Sequence, residues 1–82
     1  MDINITTNFN IGDRVWIPEL YGDEWFTSRE IQYHVSDIEV RLNLSGVKII
    51  YVVKNNNGIT VKYPEESCFS NYDECKKWCK TH

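Results

Sequence analysis

The residues best suited to chemistry stand near the C-terminal end of the chain, as Cys68-x6-Cys75-x3-Cys79-x2-His82. Thiolates and imidazoles are ligands that zinc prefers, and a closed zinc site needs four of them. Cys75, Cys79 and His82 would share one face of a helix, which makes a zinc site conceivable. The spacing nevertheless lacks the Cys-x2-Cys pair of common zinc motifs. The sequence therefore favours the alternative, that the cysteines are small buried apolar residues and that no metal or cofactor is bound.

Catalytic groups are the next possibility, and the sequence argues against an enzyme. A cysteine nucleophile needs a base beside it, but His34 falls on the outward face of its predicted strand, and no nucleophile signature surrounds any cysteine. The acidic residues come as adjacent pairs, which favour solubility and helix capping over convergence on one substrate. A glycine-rich phosphate loop is absent as well. The acidic pairs are Asp23-Glu24, Glu65-Glu66 and Asp73-Glu74.

Composition indicates a single folded domain over residues 1–82. The chain is 41% hydrophobic and 13% aromatic, which is ample for one modest core. The formal net charge of -3 works against non-specific binding to nucleic acid or to an anionic membrane. Three cysteines suit a reducing compartment, and no signal peptide or membrane span is evident, so we expect a cytoplasmic protein.

Alternating apolar residues predict a mainly β fold: a small SH3-like, five-stranded antiparallel barrel over residues 9–69, with a short C-terminal α-helix over residues 70–81. Residues 1–8 form either an edge strand or a frayed end. A turn at Gly12-Asp13, with the Asp13 carboxylate capping backbone amides, leads into a first strand over residues 14–17. A second strand begins at Arg29, and its apolar phase slips at Ser36-Asp37, which predicts a bulge.

Turn signals place the remaining strands. A turn at Ser45-Gly46 precedes the most buried strand, residues 47–54, whose apolar residues alternate on both faces. A hairpin turn at residues 55–58 follows, because Asn-Gly between apolar runs is a strong hairpin signal. The return strand covers residues 59–63, and residues 67–69 form either a fifth strand or a 3₁₀ turn. Asn71, with Glu74 three residues later, predicts a helix start whose Tyr72, Cys75 and Cys79 dock on the barrel.

The segment between Pro18 and Ser28 is predicted to be a loop, too long for a hairpin turn, with interleaved acidic and aromatic residues. Its aromatic side chains either cover the open end of the barrel or form a surface that binds a partner protein. Acids beside aromatic anchors would steer the loop toward a basic patch. The predicted partner-binding residues are Glu19, Tyr21, Asp23, Glu24, Trp25 and Phe26.

A resemblance covers residues 9–79, on the pattern Phe9-x-Ile11-Gly12-Asp13-x-Val15-Trp16, a strand centred on Ile31, Tyr51-x-Val53 and Phe69-x4-Glu74-Cys75. The pattern resembles short, uncharacterised proteins with an SH3-like barrel that occur in phages and mobile elements of Firmicutes-type bacteria. Two features depart from it: the aromatic loop is longer than usual, and cysteines replace aliphatic residues at positions 75 and 79.

The resemblance implies a non-enzymatic module that binds another protein, one of the bacterial host cell. Small phage proteins of this size include inhibitors of host defence such as anti-CRISPR proteins, so inhibition by an acidic, aromatic surface is one form of this function. The alternative is a small barrel that binds nucleic acid. Dispersed basic residues argue against that alternative, as does the acidity of the aromatic loop. The basic residues considered are Arg14, Arg29, Arg41, Lys48, Lys54 and Lys62.

Overall fold

A computed structural model describes residues 5–82, which form a mainly β fold with one C-terminal α-helix. The first four of the predicted frayed or strand-forming residues 1–8 therefore lie outside the described part of the chain. A 3₁₀ turn (Glu65–Ser67) separates the last strand from helix α1 (Tyr72–Thr81). The strands are β1 (Arg14–Val15), β2 (Glu19–Tyr21), β3 (Glu24–Phe26), β4 (Tyr33–Asn43), β5 (Gly46–Asn55) and β6 (Thr60–Pro64).

Four of these strands form one antiparallel sheet in the order β1-β4-β5-β6. The sheet curls because the segment that follows β6 returns to the end of β1. There the Trp16 and Phe69 backbones exchange two hydrogen bonds, each 2.9 Å long. The result is a curled half-barrel with its core on the concave side.

The prediction of five strands differs from the structure, which has six among residues 5–82, in sheets of four and two. The predicted loop of residues 18–28 is in fact the hairpin β2–β3. Its two central turn residues are Gly22 and Asp23, and Gly22 has the positive φ (61°) that a type II′ turn requires at its first central position. Of the two alternatives for residues 67–69, the fifth strand is reduced to the single bridge at Phe69, and the 3₁₀ turn occurs slightly earlier, at Glu65–Ser67.

The phase slip in the second predicted strand is confirmed as an irregularity in pairing. Val35 pairs with Val53 and Asp37 with Val52, so Ser36 is the extra residue in β4. The Ser36 hydroxyl donates to the Val52 carbonyl (3.1 Å), which satisfies a group that the bulge would otherwise leave open. Several boundaries differ from the prediction: β4 begins at Tyr33 rather than Arg29, and the turn before β5 is Leu44-Ser45 rather than Ser45-Gly46. The first strand ends at Val15 rather than at residue 17, and α1 begins at Tyr72 rather than at residue 70.

The Gly12-Asp13 turn has the predicted chemistry and fixes the start of the half-barrel. The Asp13 carboxylate accepts from the Asn10 amide (2.8 Å), and Gly12 takes a φ of 96°. The amide of Gly12 then donates to the Val35 carbonyl (2.8 Å), and the amide of Val35 donates to the Asp13 carbonyl (2.9 Å). The turn is therefore tied directly to β4 next to its bulge.

A buried tyrosine ties the N-terminal segment to the sheet. The side chain of Tyr51 is fully buried in the core, in edge contact with Phe9. Its hydroxyl accepts from the amides of Asn8 (3.0 Å) and Phe9 (3.2 Å) and donates to Glu65 Oε2 (2.5 Å). Residues 8 and 9 are thus held in place. The core cluster comprises Phe9, Val15, Ile17, Tyr33, Val35, Tyr51, Val53 and Cys68.

The hairpin turn and the helix start lie where the sequence predicts them, and asparagine side chains order both. Asn55 Oδ1 accepts from the amides of Asn57 and Ile59 (both 2.9 Å), which orders the turn between β5 and β6. Asn71 Oδ1 accepts from the Glu74 amide (2.8 Å) and caps α1. Strand β5 is covered on both faces over residues 50–53, in agreement with its apolar alternation.

Candidate partner-binding site

The hairpin β2–β3 presents two different faces. Its register pairs Glu19 with Phe26, Leu20 with Trp25 and Tyr21 with Glu24. Because side chains alternate along a strand, Leu20 and Trp25 share the face turned toward α1. The opposite face carries the side chains of Glu19, Tyr21, Glu24 and Phe26, so the predicted partner-binding residues are divided between the two faces.

The aromatic residues Tyr21 and Phe26 are exposed on the outer face of the hairpin. Tyr21 is 80% and Phe26 39% exposed, and their rings meet edge to face with centroids 6.4 Å apart. Together with Glu24 they line a shallow groove of about 240 Å³. Exposed aromatic rings that support each other are typical of the anchor residues of protein interfaces.

The three acids of the hairpin have different surroundings. Asp23 and Glu24 are exposed at the turn, beside the aromatic pair. Glu19 instead accepts a hydrogen bond from the Tyr33 hydroxyl, which ties the base of the hairpin to the core. Burial, and next the bond to Glu19, raise the pKa of Tyr33 to about 12. Glu19 therefore stabilises the attachment of the hairpin to the core. The acidic residues exposed beside Tyr21 and Phe26 are Asp23 and Glu24.

Trp25 lies in the contact between the hairpin and the helix. Its ring meets the Trp78 ring edge to face with centroids 5.2 Å apart, and Trp25 is half-buried. Trp78 also stacks on His82 (4.1 Å between centroids) and lies near Phe69 (6.4 Å). The expectation that α1 docks on the barrel through Cys75 and Cys79 is thus incomplete, because Trp78 carries much of the contact and β3 receives it.

We expect Trp25→Ala to lower the free energy of unfolding by about 2 kcal/mol or more, since it removes the ring that holds Trp78. Tyr21→Ala, on the exposed face of the same hairpin, should cost no more than about 0.5 kcal/mol. Urea denaturation followed by far-UV circular dichroism measures both. Equal stability of Trp25→Ala and the parent would mean that the hairpin does not hold the helix.

A second groove of about 210 Å³ runs between the hairpin and the helix. Its hairpin wall contains Trp25, Thr27 and also Phe26, which borders both grooves. Its helix wall contains Tyr72, Lys76, Cys79 and Lys80. Two cations lie near the Tyr72 ring, Arg29 at 4.2 Å and Lys76 at 5.7 Å from its centroid. Lys76 and Lys80, which are not among the dispersed basic residues named above, lie on one helix face because they are four residues apart.

The cysteines and the terminal histidine have surroundings that suit a core. Burial raises the pKa of the Cys68 thiol to about 12 and that of Cys75 to about 11, and it raises the pKa of Cys79 as well. Thiols held neutral are poor nucleophiles. His82 Nδ1 lies 2.9 Å from the Trp78 carbonyl. Within residues 5–82, no three His, Cys, Asp or Glu side chains converge as a metal site.

His34 lies exposed on β4, as its outward phase predicts, whereas Cys68 and Cys75 are buried. In the described part of the chain no helix has the length and apolar character needed to cross a membrane. No protein-family model, curated protein or solved structure matches this chain. A function for it must therefore be argued from its own residues and surfaces.

Proposed function

We propose that this chain is a non-enzymatic protein-binding module of phage or mobile-element type, and that its partner is a protein in the cytoplasm of the bacterial host. The outer face of the hairpin β2–β3 would bind that partner. The observation that carries the proposal is the exposed pair Tyr21 and Phe26 beside two exposed acids. Hot spots of transient interfaces are enriched in such aromatics, and acids beside them favour a basic partner surface.

The rest of the hairpin supports this proposal because it would hold the two anchors in place before binding. The Trp25–Trp78 contact fixes the hairpin to α1, and the Glu19–Tyr33 hydrogen bond fixes its base to the core. A surface that is ordered in advance loses less entropy when it binds. The raised thiol pKa values and the exposure of His34 further favour binding over catalysis.

The fold supports the same class of protein. We propose that the curled sheet is an SH3-like barrel in which the Trp16–Phe69 bridge takes the place of the fifth strand. The sequence resemblance to phage and mobile-element proteins favours a host target. Inhibition of a host defence protein, by an acidic surface that occupies a basic groove, is one form of this proposal.

The test is affinity capture from a lysate of the bacterial host, with the wild type and two double variants as bait. Tyr21→Ala/Phe26→Ala removes both anchors and should weaken partner binding at least about 30-fold, because truncated anchors each cost about 2 kcal/mol. Ile11→Ala/Ile59→Ala is the matched control, since both residues are exposed and lie on other turns. A partner that both double variants retain equally would place the binding surface elsewhere.

One observation favours the second candidate function, binding of single-stranded nucleic acid. The groove between hairpin and helix places Lys76 and Lys80 opposite Trp25 and Phe26, and aromatic rings with nearby cations are the parts that such sites use. Titration of labelled oligonucleotides at low and physiological salt distinguishes it from the first. Binding that falls steeply with salt and disappears in Lys76→Ala/Lys80→Ala, but not in Lys48→Ala/Lys54→Ala, would favour this second function.

A further inference from the structure

The β4–β5 hairpin extends beyond the rest of the sheet. In the described part of the chain β1 pairs with β4 only at Tyr33 and His34, and β6 pairs with β5 only from Ile50 onward. From Asp37 to Ile49 the two long strands therefore pair only with each other. This two-stranded projection, residues 37–49, is called the arm below.

One face of the arm is apolar, and it is largely exposed beyond Ile49, which packs against the core. Leu42 pairs with Val47 and Val40 with Ile49, so these four side chains lie on the same face. The next pair on this face is Ile38 with Tyr51, and both residues pack in the core. The apolar face of the arm is therefore an extension of the core-facing side of the sheet, in a region where no other described element covers the sheet. Leu42 is 57%, Val47 51% and Val40 40% exposed, and Leu44 at the tip is fully exposed.

The opposite face of the arm carries the charges. Arg41 pairs with Lys48 across the strands, and Glu39 accepts from Lys62 of β6 (2.8 Å) and lies 4.0 Å from Arg41. Two acids, Asp37 and Glu39, balance two bases, Arg41 and Lys48, within the arm. Because these charged side chains lie on the opposite face, two arms that meet through their apolar faces bring no charged side chain of the arm into the contact.

We propose that the apolar face of the arm packs against the same face of a second copy of this chain, in a two-fold symmetric dimer. The amino-acid composition of the face favours a second copy of this chain over a different protein. It consists of Ile, Val and Leu alone, whereas surfaces that bind a different protein transiently are enriched in Tyr, Trp and Arg. Homodimer interfaces are the more apolar class, and an uncharged aliphatic face is complementary to itself.

The size of the face determines how strong the dimer is. From Ile38 to Leu44 the arm is about 20 Å long, and two strands are about 10 Å wide, which gives about 200 Å² of flat sheet per copy. A stable interface of standard size needs about 800 Å² per partner. The dimer is therefore weak and reversible.

Sedimentation equilibrium of the untagged chain, from about 5 μM to about 500 μM, tests the proposal. The average mass should rise from 9.7 kDa toward twice that value across the series. Leu42→Thr/Val47→Thr keeps the β propensity of the arm while removing its apolar surface, and should raise the Kd at least about tenfold. Arg41→Thr/Lys48→Thr is the matched control, because it changes the directly paired residues of the other face, and should leave the Kd within about threefold.

A constant mass of 9.7 kDa throughout the series overturns the proposal, even if the arm variants lose binding to a different protein or to lipid vesicles. Equal weakening by both double variants also overturns it, since the apolar face would then have no special role. Amide chemical shifts of the wild type on dilution give a second measurement that needs no variant. Shifts confined to the arm support the dimer, and shifts elsewhere place self-association on another surface.

Discussion

Cys75→Asp should lower the free energy of unfolding by about 3 kcal/mol or more, the largest effect we expect from any single change in α1. The Cys75 side chain is fully buried between the helix and the half-barrel, and burial already keeps its thiol neutral. A carboxylate at this position would be either an unpaired buried charge or a protonated acid with an unsatisfied polar group. Either form opposes docking of the helix.

Urea denaturation at neutral pH, followed by far-UV circular dichroism, measures this loss. Lys77→Asp is the matched control, because Lys77 is exposed on the same helix, and should change stability by about 0.5 kcal/mol or less. Cys79→Asp should fall between the two, since Cys79 is only partly buried. A Cys75→Asp variant as stable as the parent would show that the helix does not dock through this residue.

Much of the half-barrel follows from the sequence because its strands bury one face and therefore alternate. The slip in apolar phase at Ser36-Asp37 located the bulge, and the asparagine turn and the Asn71 cap are local features that three or four residues specify. These signals are local side-chain chemistry and the alternation of apolar residues along a strand with one buried face. Both kinds of signal can be read from a single sequence.

The hairpin β2–β3 could not be recognised in the same way. Its strands have three residues each, and its outer face exposes Tyr21 and Phe26, so no alternation of apolar and polar residues marks it. Gly22-Asp23 was the available turn signal, with glycine at the first central position. The stripe Tyr72, Cys75, Cys79 predicted from the sequence leaves out Trp78, although a tryptophan three residues after Cys75 widens that stripe.

Six predicted partner-binding residues are brought together on one hairpin, but tertiary contacts give them different roles. Tyr21, Asp23, Glu24 and Phe26 remain exposed, whereas Trp25 holds the helix and Glu19 holds Tyr33. Sequence alone could not divide them, because the division depends on which hairpin face meets α1 and on the contact of Glu19 with Tyr33. The predicted cover over the open end of the barrel does not describe Phe26, which is exposed, and Trp25 packs against Trp78 of the helix instead. The alternative, a surface that binds a partner, stays a prediction.

Raising the pH from 8 to 11 should destabilise the fold by several kcal/mol. Burial raises the pKa of the Cys68 thiol from 9.0 to about 12, that of Cys75 from 9.0 to about 11, and those of Tyr33 and Tyr51 from 10.0 to about 12. Above pH 9 to 10 the unfolded chain releases these protons while the folded chain still holds them. Each group then favours unfolding by about 1.4 kcal/mol per pH unit, until the pH passes its folded pKa.

Urea denaturation at pH 8 and pH 11, under reducing conditions, gives this loss directly. Cys68→Ala should be less sensitive to alkali than the parent by about 2 kcal/mol, because one buried thiol no longer titrates over that interval. Tyr51→Phe should be less stable at pH 8, since Asn8, Phe9 and Glu65 lose their common partner, but its further loss at pH 11 should be smaller. Tyr21→Phe, at an exposed position, should follow the parent at both pH values.

A parent protein whose free energy of unfolding stays constant from pH 8 to pH 11 would mean that these thiols and hydroxyls are open to water. That result would contradict the burial of four side chains, those of Cys68, Cys75, Tyr33 and Tyr51.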